Sequence, residues 1–162
     1  MIFKTPGQTA KRVLAPYRAL GADHVIDYGS ADVATEVLRL TDGRGADLVL
    51  ESAGGAAFGA SLAAAKRVTG RVVVYGVAGG EAAITNWKLN FTHQIHVIGL
   101  HIGVLIETAP QIFGELMDEL SALIAAGVFT PGRPTVYDLA DGPKALTEME
   151  ARATVGKLAL QP

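Results

Sequence analysis

The sequence predicts an α/β fold built on a doubly wound, mostly parallel sheet. Short apolar runs alternate with helical segments of about ten residues, which is typical of repeated strand–helix–strand crossovers. Glycine-rich turns follow several of the apolar runs, where parallel strands would leave the sheet. Of the 162 residues, 49% are hydrophobic and 19% are charged. That balance is typical of a globular protein with a core of its own.

The first predicted elements are a strand in the opening MIFK and a helix over Gln8–Leu20, where apolar residues recur at spacings of three and four. Pro6-Gly7-Gln8-Thr9 joins them. A dinucleotide pyrophosphate loop uses several glycines, for the turn, for close backbone approach and for helix packing, and this turn has one. A reduced anion-binding loop and an ordinary strand-to-helix turn both stay open at this point.

The middle of the chain continues the alternation of strand and helix. The predicted elements are a strand at 24–28, a helix over 31–40, a strand at 46–52, a helix over 57–67 and a strand at 71–76. The strands are short and β-branched, and the second helix is rich in small residues. This order predicts crossovers that cover both faces of a parallel sheet.

The later part of the chain predicts an irregular connection over 77–92, a strand at 95–100 and a long helix over 110–126. The long helix has an apolar stripe, which we expect to pack into the core. Its members are Ile112, Phe113, Leu116, Met117, Leu120, Leu123 and Ile124.

The end of the chain predicts a short β-α-β tail. A linker, Pro131-Gly132-Arg133-Pro134, precedes a strand, a short helix from about Asp141 and a final strand at 157–161. The expected division is therefore a domain over 1–128 and a tail over 129–162.

Composition excludes several classes of function. The formal net charge of −2 provides no basic field for nucleic acid or anionic lipid. No apolar stretch reaches the roughly 18 residues of a membrane span. The opening apolar run is too short for a signal peptide, so the expected location is the cytoplasm. The absence of cysteine excludes disulfides, thiolate zinc sites and a cysteine nucleophile within this sequence.

Three glycine-bearing segments follow predicted strands, and they are the strongest candidate site. They are Glu51–Gly55, Tyr75–Gly80 and Gly99–Gly103. Each alone is explained by a simple turn. Together they predict a binding rim, because ligands of open parallel sheets bind at the carboxyl edge and glycine allows close approach to the backbone.

Other polar residues give weaker indications. His93 and His96 are three apart, which places them on opposite faces of a strand, and with His101 they predict no metal site. Asp27, Asp47 and Glu51 lie near strand ends, where a carboxylate could bind a ribose hydroxyl or be an ordinary turn residue; Asp27 is the candidate ligand contact among them.

The order and spacing of five segments resembles the medium-chain dehydrogenase/reductase family, of the zinc alcohol dehydrogenase and quinone oxidoreductase kind. The segments are ALGADHVIDY, TDGRGADLVLESAGG, GRVVVYGVAGG, IHVIGL and VGKLAL. The resemblance covers nearly the whole chain but only about the C-terminal half of a family subunit.

The resemblance implies a Rossmann-like sheet that lacks the family's first strand and glycine loop, which are expected upstream with the substrate domain. MIFK then corresponds to the family's second strand. We expect it to close the gap by pairing with ADLVLES, giving the strand order 2-1-3-4-5 along this chain.

The resemblance also implies a nicotinamide cofactor and no zinc within this chain. Family members that use NAD commonly have Asp where Lys4 and Thr5 stand, so NADP is favoured and NAD is the alternative. The other expected contacts flank the adenosine end or border the ribose and nicotinamide. They are Tyr28, Ser52, Ala53, Gly54, Gly76, Val77, Ala78, Leu100, His101 and Ile102.

The expected function is the nucleotide-binding part of an NAD(P)H-dependent oxidoreductase acting on a quinone, enone or carbonyl compound. No catalytic residue is identified, and we expect the isolated chain to be inactive. A noncatalytic dimerisation module with a vestigial cleft and one half of a split enzyme are the alternatives. The family's edge strand implies a homodimer through 95–100, and its tail packs on the domain expected upstream.

Overall fold

A computed structural model of the chain describes the backbone of residues 2–5 and all of residues 21–128, 132–151 and 153–162. The helix predicted for Gln8–Leu20 lies outside the described residues. The chain forms two compact units, residues 1–103 and 104–162. The boundary between these units differs from the predicted division at 128–129. The predicted division was based on packing of the tail against a domain upstream, so it stays a prediction.

The first unit follows the predicted alternation of strand and helix. Its elements are β1 (Ile2–Thr5), β2 (His24–Asp27), α1 (Val33–Leu40), β3 (Leu48–Glu51), α2 (Gly55–Ala64), β4 (Arg71–Val74), a π-helical turn (Lys88–His93) and β5 (His96–Gly99). The π-helical turn falls in the connection predicted to be irregular.

The strands of the first unit form two parallel sheets. One contains β1 and β2, and the other has the order β3-β4-β5. The α/β class with parallel strands is therefore confirmed. The continuous order 2-1-3-4-5 is not confirmed, because among the described strands β1 pairs with β2 and no ladder joins β1 to β3.

Two apolar clusters form the core of the first unit, and α2 contributes to both. Phe58 and Leu62 of α2 are buried with Ala65 and Val72. Ala64, at the end of the same helix, is buried in a second cluster with Ile26 of β2 and Val37 of α1. Small and apolar residues around most of this helix allow it to contact both sheets.

The second unit contains most of the remaining elements. They are α3 (Ile102–Thr108), which begins two residues before the unit boundary, α4 (Pro110–Ala125), β6 (Thr135–Asp138), a 3₁₀ turn (Leu139–Asp141), α5 (Gly142–Glu150) and β7 (Leu158–Gln161). β6 and β7 are parallel neighbours, which agrees with the predicted β-α-β tail.

The stripe of α4 is not core packing in this chain, which corrects the prediction. α4 contains no buried residue, and Ile112 and Leu116 expose 52% and 45% of their surface. The 3.6-residue period correctly predicted an amphipathic helix, but periodicity does not show what covers its apolar face.

None of the helices in the described ranges combines the length and apolar content needed to cross a membrane.

Helix α1 begins with a side-chain cap. The Asp32 carboxylate accepts hydrogen bonds from the Thr35 backbone amide (2.8 Å) and the Thr35 hydroxyl (2.6 Å). The hydroxyl bond, and next the amide bond, hold the pKa of Asp32 below its ordinary value of 3.8. The cap satisfies an amide that has no partner inside the helix.

We predict that Asp32→Ala lowers the thermal unfolding temperature at pH 7, because the Thr35 amide loses its acceptor. The folded pKa lies below the unfolded value, so the charge-dependent stabilisation is present above pH 3.8 and is lost as the pH falls through the folded pKa. The difference in unfolding temperature between the unmodified chain and Asp32→Ala should therefore become smaller in acid. Asp32→Asn is the control, since it caps without titrating; a deficit of Asp32→Ala that is constant from pH 7 to pH 2.5 contradicts this account.

Candidate functional site

The carboxyl ends of β3, β4 and β5 meet at one edge of the three-stranded sheet. Glu51, Val74 and Gly99 end the three strands and lie level in the ladder. Because the strands are parallel, the segments that follow them emerge side by side. The structure thus places two of the predicted rim segments, 52–55 and 75–80, next to each other.

Backbone hydrogen bonds join these two turns directly. The Ala78 amide donates to the Ser52 carbonyl (3.3 Å), and the Gly79 amide donates to the Ala53 carbonyl (2.5 Å). In the opposite direction, the Gly55 amide donates to the Gly80 carbonyl (2.8 Å). The two turns therefore form a single rigid backbone surface.

Glycine is required where the two turns touch. A Cβ atom at Gly54 would overlap the Gly80 carbonyl oxygen, and one at Gly55 would overlap that of Gly79. Gly54 and Gly55 also have φ angles of +68° and +50°, which L-residues with side chains rarely adopt. A Cβ at Gly76 would lie 2.5 Å from the Ser52 carbonyl oxygen.

The buried carboxylate of Glu51 holds the turn 52–55 in place through hydrogen bonds. Glu51 has only 3% of its surface exposed. Its Oε1 accepts hydrogen bonds from the amides of Ala53 (2.7 Å) and Gly54 (2.8 Å), and its Oε2 accepts one from the Ser61 hydroxyl of α2. These bonds satisfy the buried charge.

The hydrogen bonding of the turns limits which ligand groups this edge can bind. The amides of Ala53, Gly54, Ala78 and Gly79 all donate within the protein. A phosphate needs free donors, so this surface suits an uncharged ligand group that packs on glycine and bonds to side chains. Ser52 is exposed at this edge.

The third strand end differs from the prediction. The Leu100 amide donates to the Val74 carbonyl (2.8 Å), which extends the β4–β5 pairing by one residue. Ile102 begins helix α3, although the sequence predicted an open segment as far as Gly103. The β-branched run IGVLIET favours strand by local propensity, which explains the missed helix. Leu100 and His101 thus form a short link between β5 and α3, and Ile102 is the first residue of that helix.

The residues predicted for the adenosine end lie on the two-stranded sheet. Thr5 pairs with Asp27 at the ends of β1 and β2, so Lys4, Thr5 and Tyr28 lie at the same end of this sheet. Of Lys4 and Thr5 only the backbone is described. Asp27 forms a turn: its carboxylate accepts the Gly29 amide (2.9 Å) and its carbonyl accepts the Ala31 amide (3.0 Å).

Within the described ranges, no set of side chains is placed to hold a zinc ion. The chain contains no cysteine, and the described ranges hold no group of three or more His, Asp or Glu side chains placed to share a metal. His93 ends the π-helical turn, where burial, and next the Lys88 charge, lower its pKa and favour the neutral ring.

The sequence did not predict the support that Glu51 gives to the turn. From the sequence, Glu51 is the first residue of the predicted rim segment Glu51–Gly55 and either a ribose contact or a turn residue. A signal was present: a carboxylate ends a buried-type strand, and glycines follow three and four residues later. That spacing allows the side chain to accept amides of its own turn.

Comparison with known proteins gives related sequences and folds. The family profile described as zinc-binding dehydrogenase matches residues 20–160. A quinone oxidoreductase of Pseudomonas aeruginosa is 34% identical over 149 residues, which are 90% of this chain and 44% of that protein. A mycocerosic acid synthase-like polyketide synthase of Mycobacterium tuberculosis is 32% identical over 161 residues, 98% of this chain and 7% of that protein.

A solved structure of a quinone oxidoreductase is also similar to this chain. The Escherichia coli quinone oxidoreductase complexed with NADPH has a TM-score of 0.78 and 28% identity, covering 98% of this chain and 49% of that one. The chain therefore spans about half the length of the quinone oxidoreductases it matches, and a small part of the polyketide synthase.

We predict that Gly54→Ala lowers the free energy of unfolding by about 2–3 kcal/mol, because the new methyl group meets the Gly80 carbonyl at an unfavourable φ. Gly59→Ala is the matched control on α2, where a Cβ meets no atom within 4 Å. It should stabilise the chain by about 0.5–1 kcal/mol through helix propensity. Urea denaturation measures both, and equal effects would refute the close packing of the turns.

Proposed function

Because the chain belongs to the zinc-binding dehydrogenase family, and so to the medium-chain dehydrogenase/reductase group that its sequence resembles, we propose that it binds NADPH as part of an oxidoreductase. The complete enzyme would reduce a quinone, enone or carbonyl compound. The cofactor supplies hydride chemistry when bound, and the residues of this chain bind and orient it.

The observation that best supports this proposal is the paired-turn surface at the carboxyl edge of β3 and β4. The amides of Ala53, Gly54, Ala78 and Gly79 donate within the protein, and glycines let a ligand approach the backbone closely. Such a surface fits the ribose and nicotinamide, which are uncharged or weakly polar, better than the pyrophosphate. The proposed contacts are Ser52, Ala53, Gly54, Gly76, Val77 and Ala78, with Leu100, His101 and Ile102 beside them.

The adenosine end is assigned to Lys4, Thr5 and Tyr28. Their positions at the end of the two-stranded sheet agree with such a role. A cation at position 4 favours a 2′-phosphate over a free ribose hydroxyl, since a phosphate prefers charged donors. NADPH is therefore proposed ahead of NADH.

The second candidate function is a noncatalytic module that retains the fold without the cofactor. The observation that favours it is that the amides of Ala53, Gly54, Ala78 and Gly79 already donate within the protein and are not available to a ligand. The two candidates differ in one measurable property, the affinity for NADPH.

We predict that isothermal titration finds micromolar binding of NADPH to the chain and weaker binding of NADH. Lys4→Ala should weaken NADPH about ten-fold and leave NADH nearly unchanged, as expected for one lost charge-assisted bond. Lys144→Ala, at an exposed position of α5, is the control. No heat at millimolar NADPH would refute cofactor binding and favour the noncatalytic module.

We also propose a homodimer through β5. β5 is at an edge of its sheet among the described strands. The amides of His96 and Leu100 point to β4, where they donate to Gly70 (2.9 Å) and Val74 (2.8 Å). Because amides alternate along a strand, those of Val97 and Gly99 face the open edge and can pair with a second copy.

We predict that light scattering gives twice the chain mass at micromolar concentration, and that Gly99→Pro shifts the protein to the monomer. Proline removes an outward donor and leaves the β4 ladder intact, since an edge strand tolerates it on the open side. Gly99→Ala is the control, because a Cβ there meets no atom within 4 Å. A monomeric parent chain would rule out this dimer.

A further inference from the structure

Glu51 is a buried carboxylate whose hydrogen bonds all go to the structure around the candidate site. Only 3% of its surface is exposed. One oxygen accepts the amides of Ala53 and Gly54, and the other accepts the hydroxyl of Ser61 on α2. The side chain therefore connects the end of β3, the turn and the following helix.

The turn depends on this acceptor. An amide that loses its acceptor away from water is costly, so the segment would rearrange to find another partner. Bonds to a charged acceptor are roughly twice as strong as neutral ones. Gly54, with a φ of +68°, has no side chain to restrict its conformation. Without Glu51 the turn would therefore have several accessible shapes.

A change in the conformation of the turn 52–54 would also alter the proposed ligand surface. The Ser52 and Ala53 carbonyls accept amides of the second turn, at Ala78 and Gly79. A rearrangement between Ser52 and Gly54 therefore alters both turns. The exposed Ser52 would lose its defined direction with them.

We propose that Glu51 is a positioning residue: it holds the turn 52–54 in the conformation that receives the nicotinamide half of NADPH. This inference rests on the proposed function. Glu51 does not touch the cofactor. It acts by fixing the backbone before binding, so that less conformational entropy is lost when the ligand arrives.

The test compares three variants with the unmodified chain. Glu51→Leu removes every acceptor at similar volume. Glu51→Gln keeps one oxygen for the two amides and can donate to Ser61, so it is the conservative variant. Ser61→Ala frees only the second oxygen. Glu119→Leu, at an exposed position of α4 in the second unit, is the matched control.

Each variant is titrated with NADPH and with 2′,5′-ADP, which lacks the nicotinamide half. We expect Glu51→Leu to weaken NADPH about ten-fold, equivalent to about 1.4 kcal/mol, and to leave 2′,5′-ADP unchanged. Glu51→Gln should keep most of the affinity for NADPH. Ser61→Ala should bind NADPH about three-fold more weakly and 2′,5′-ADP with unchanged affinity. Amide hydrogen exchange of Ala53 and Gly54 should accelerate in Glu51→Leu and much less in Glu51→Gln.

The remaining outcomes separate the two proposals. If the unmodified chain binds NADPH and Glu51→Leu binds it equally well, the role of Glu51 is wrong and the proposed function stands. Equal loss of both ligands by a folded Glu51→Leu variant also overturns the role, since the effect is then not confined to the nicotinamide half. If Glu51→Leu does not fold, unchanged NADPH binding by Ser61→Ala overturns it. If the unmodified chain binds neither ligand, both proposals fail together.

Discussion

The packing of helix α2 is the constraint on which the first unit depends. The helix buries Phe58 and Leu62 against the three-stranded sheet and Ala64 against the cluster of β2 and α1. No ladder joins the two sheets among the described strands, and α2 contributes buried residues to the apolar clusters on both. Burial of apolar surface is non-directional, which explains how one helix serves two sheets.

The start of α2 then determines the geometry of the candidate site. Gly55 begins the helix and donates its amide to Gly80 of the second turn. Glu51, at the end of β3, accepts a hydrogen bond from Ser61, which lies about one and two-thirds turns along the same helix. Core packing and site geometry are therefore coupled through α2, because any shift of the helix moves both the glycine contact and the carboxylate partner.

Local patterns predicted the elements well and their surroundings less well. The strands of the first unit follow from short β-branched runs, whereas the Asp32 cap at the start of α1 was found only in the structure. Helix α3 was missed because its β-branched residues have low helix propensity. The stripe of α4 was predicted to be buried and is exposed, because an amphipathic pattern does not identify the surface that covers it.

The sequence by itself determined the α/β class, the parallel strands and the glycine-bearing strand ends, since each depends on residues close together in the chain. Only the tertiary structure decided that Glu51 is buried, that the amides of Ala53 and Gly79 already have partners, and that no ladder joins β1 to β3 among the described strands. Those facts depend on the register between strands distant in sequence. The physical reason is that a hydrogen-bond partner across a sheet is selected by the packing of the whole unit, which local propensity does not encode.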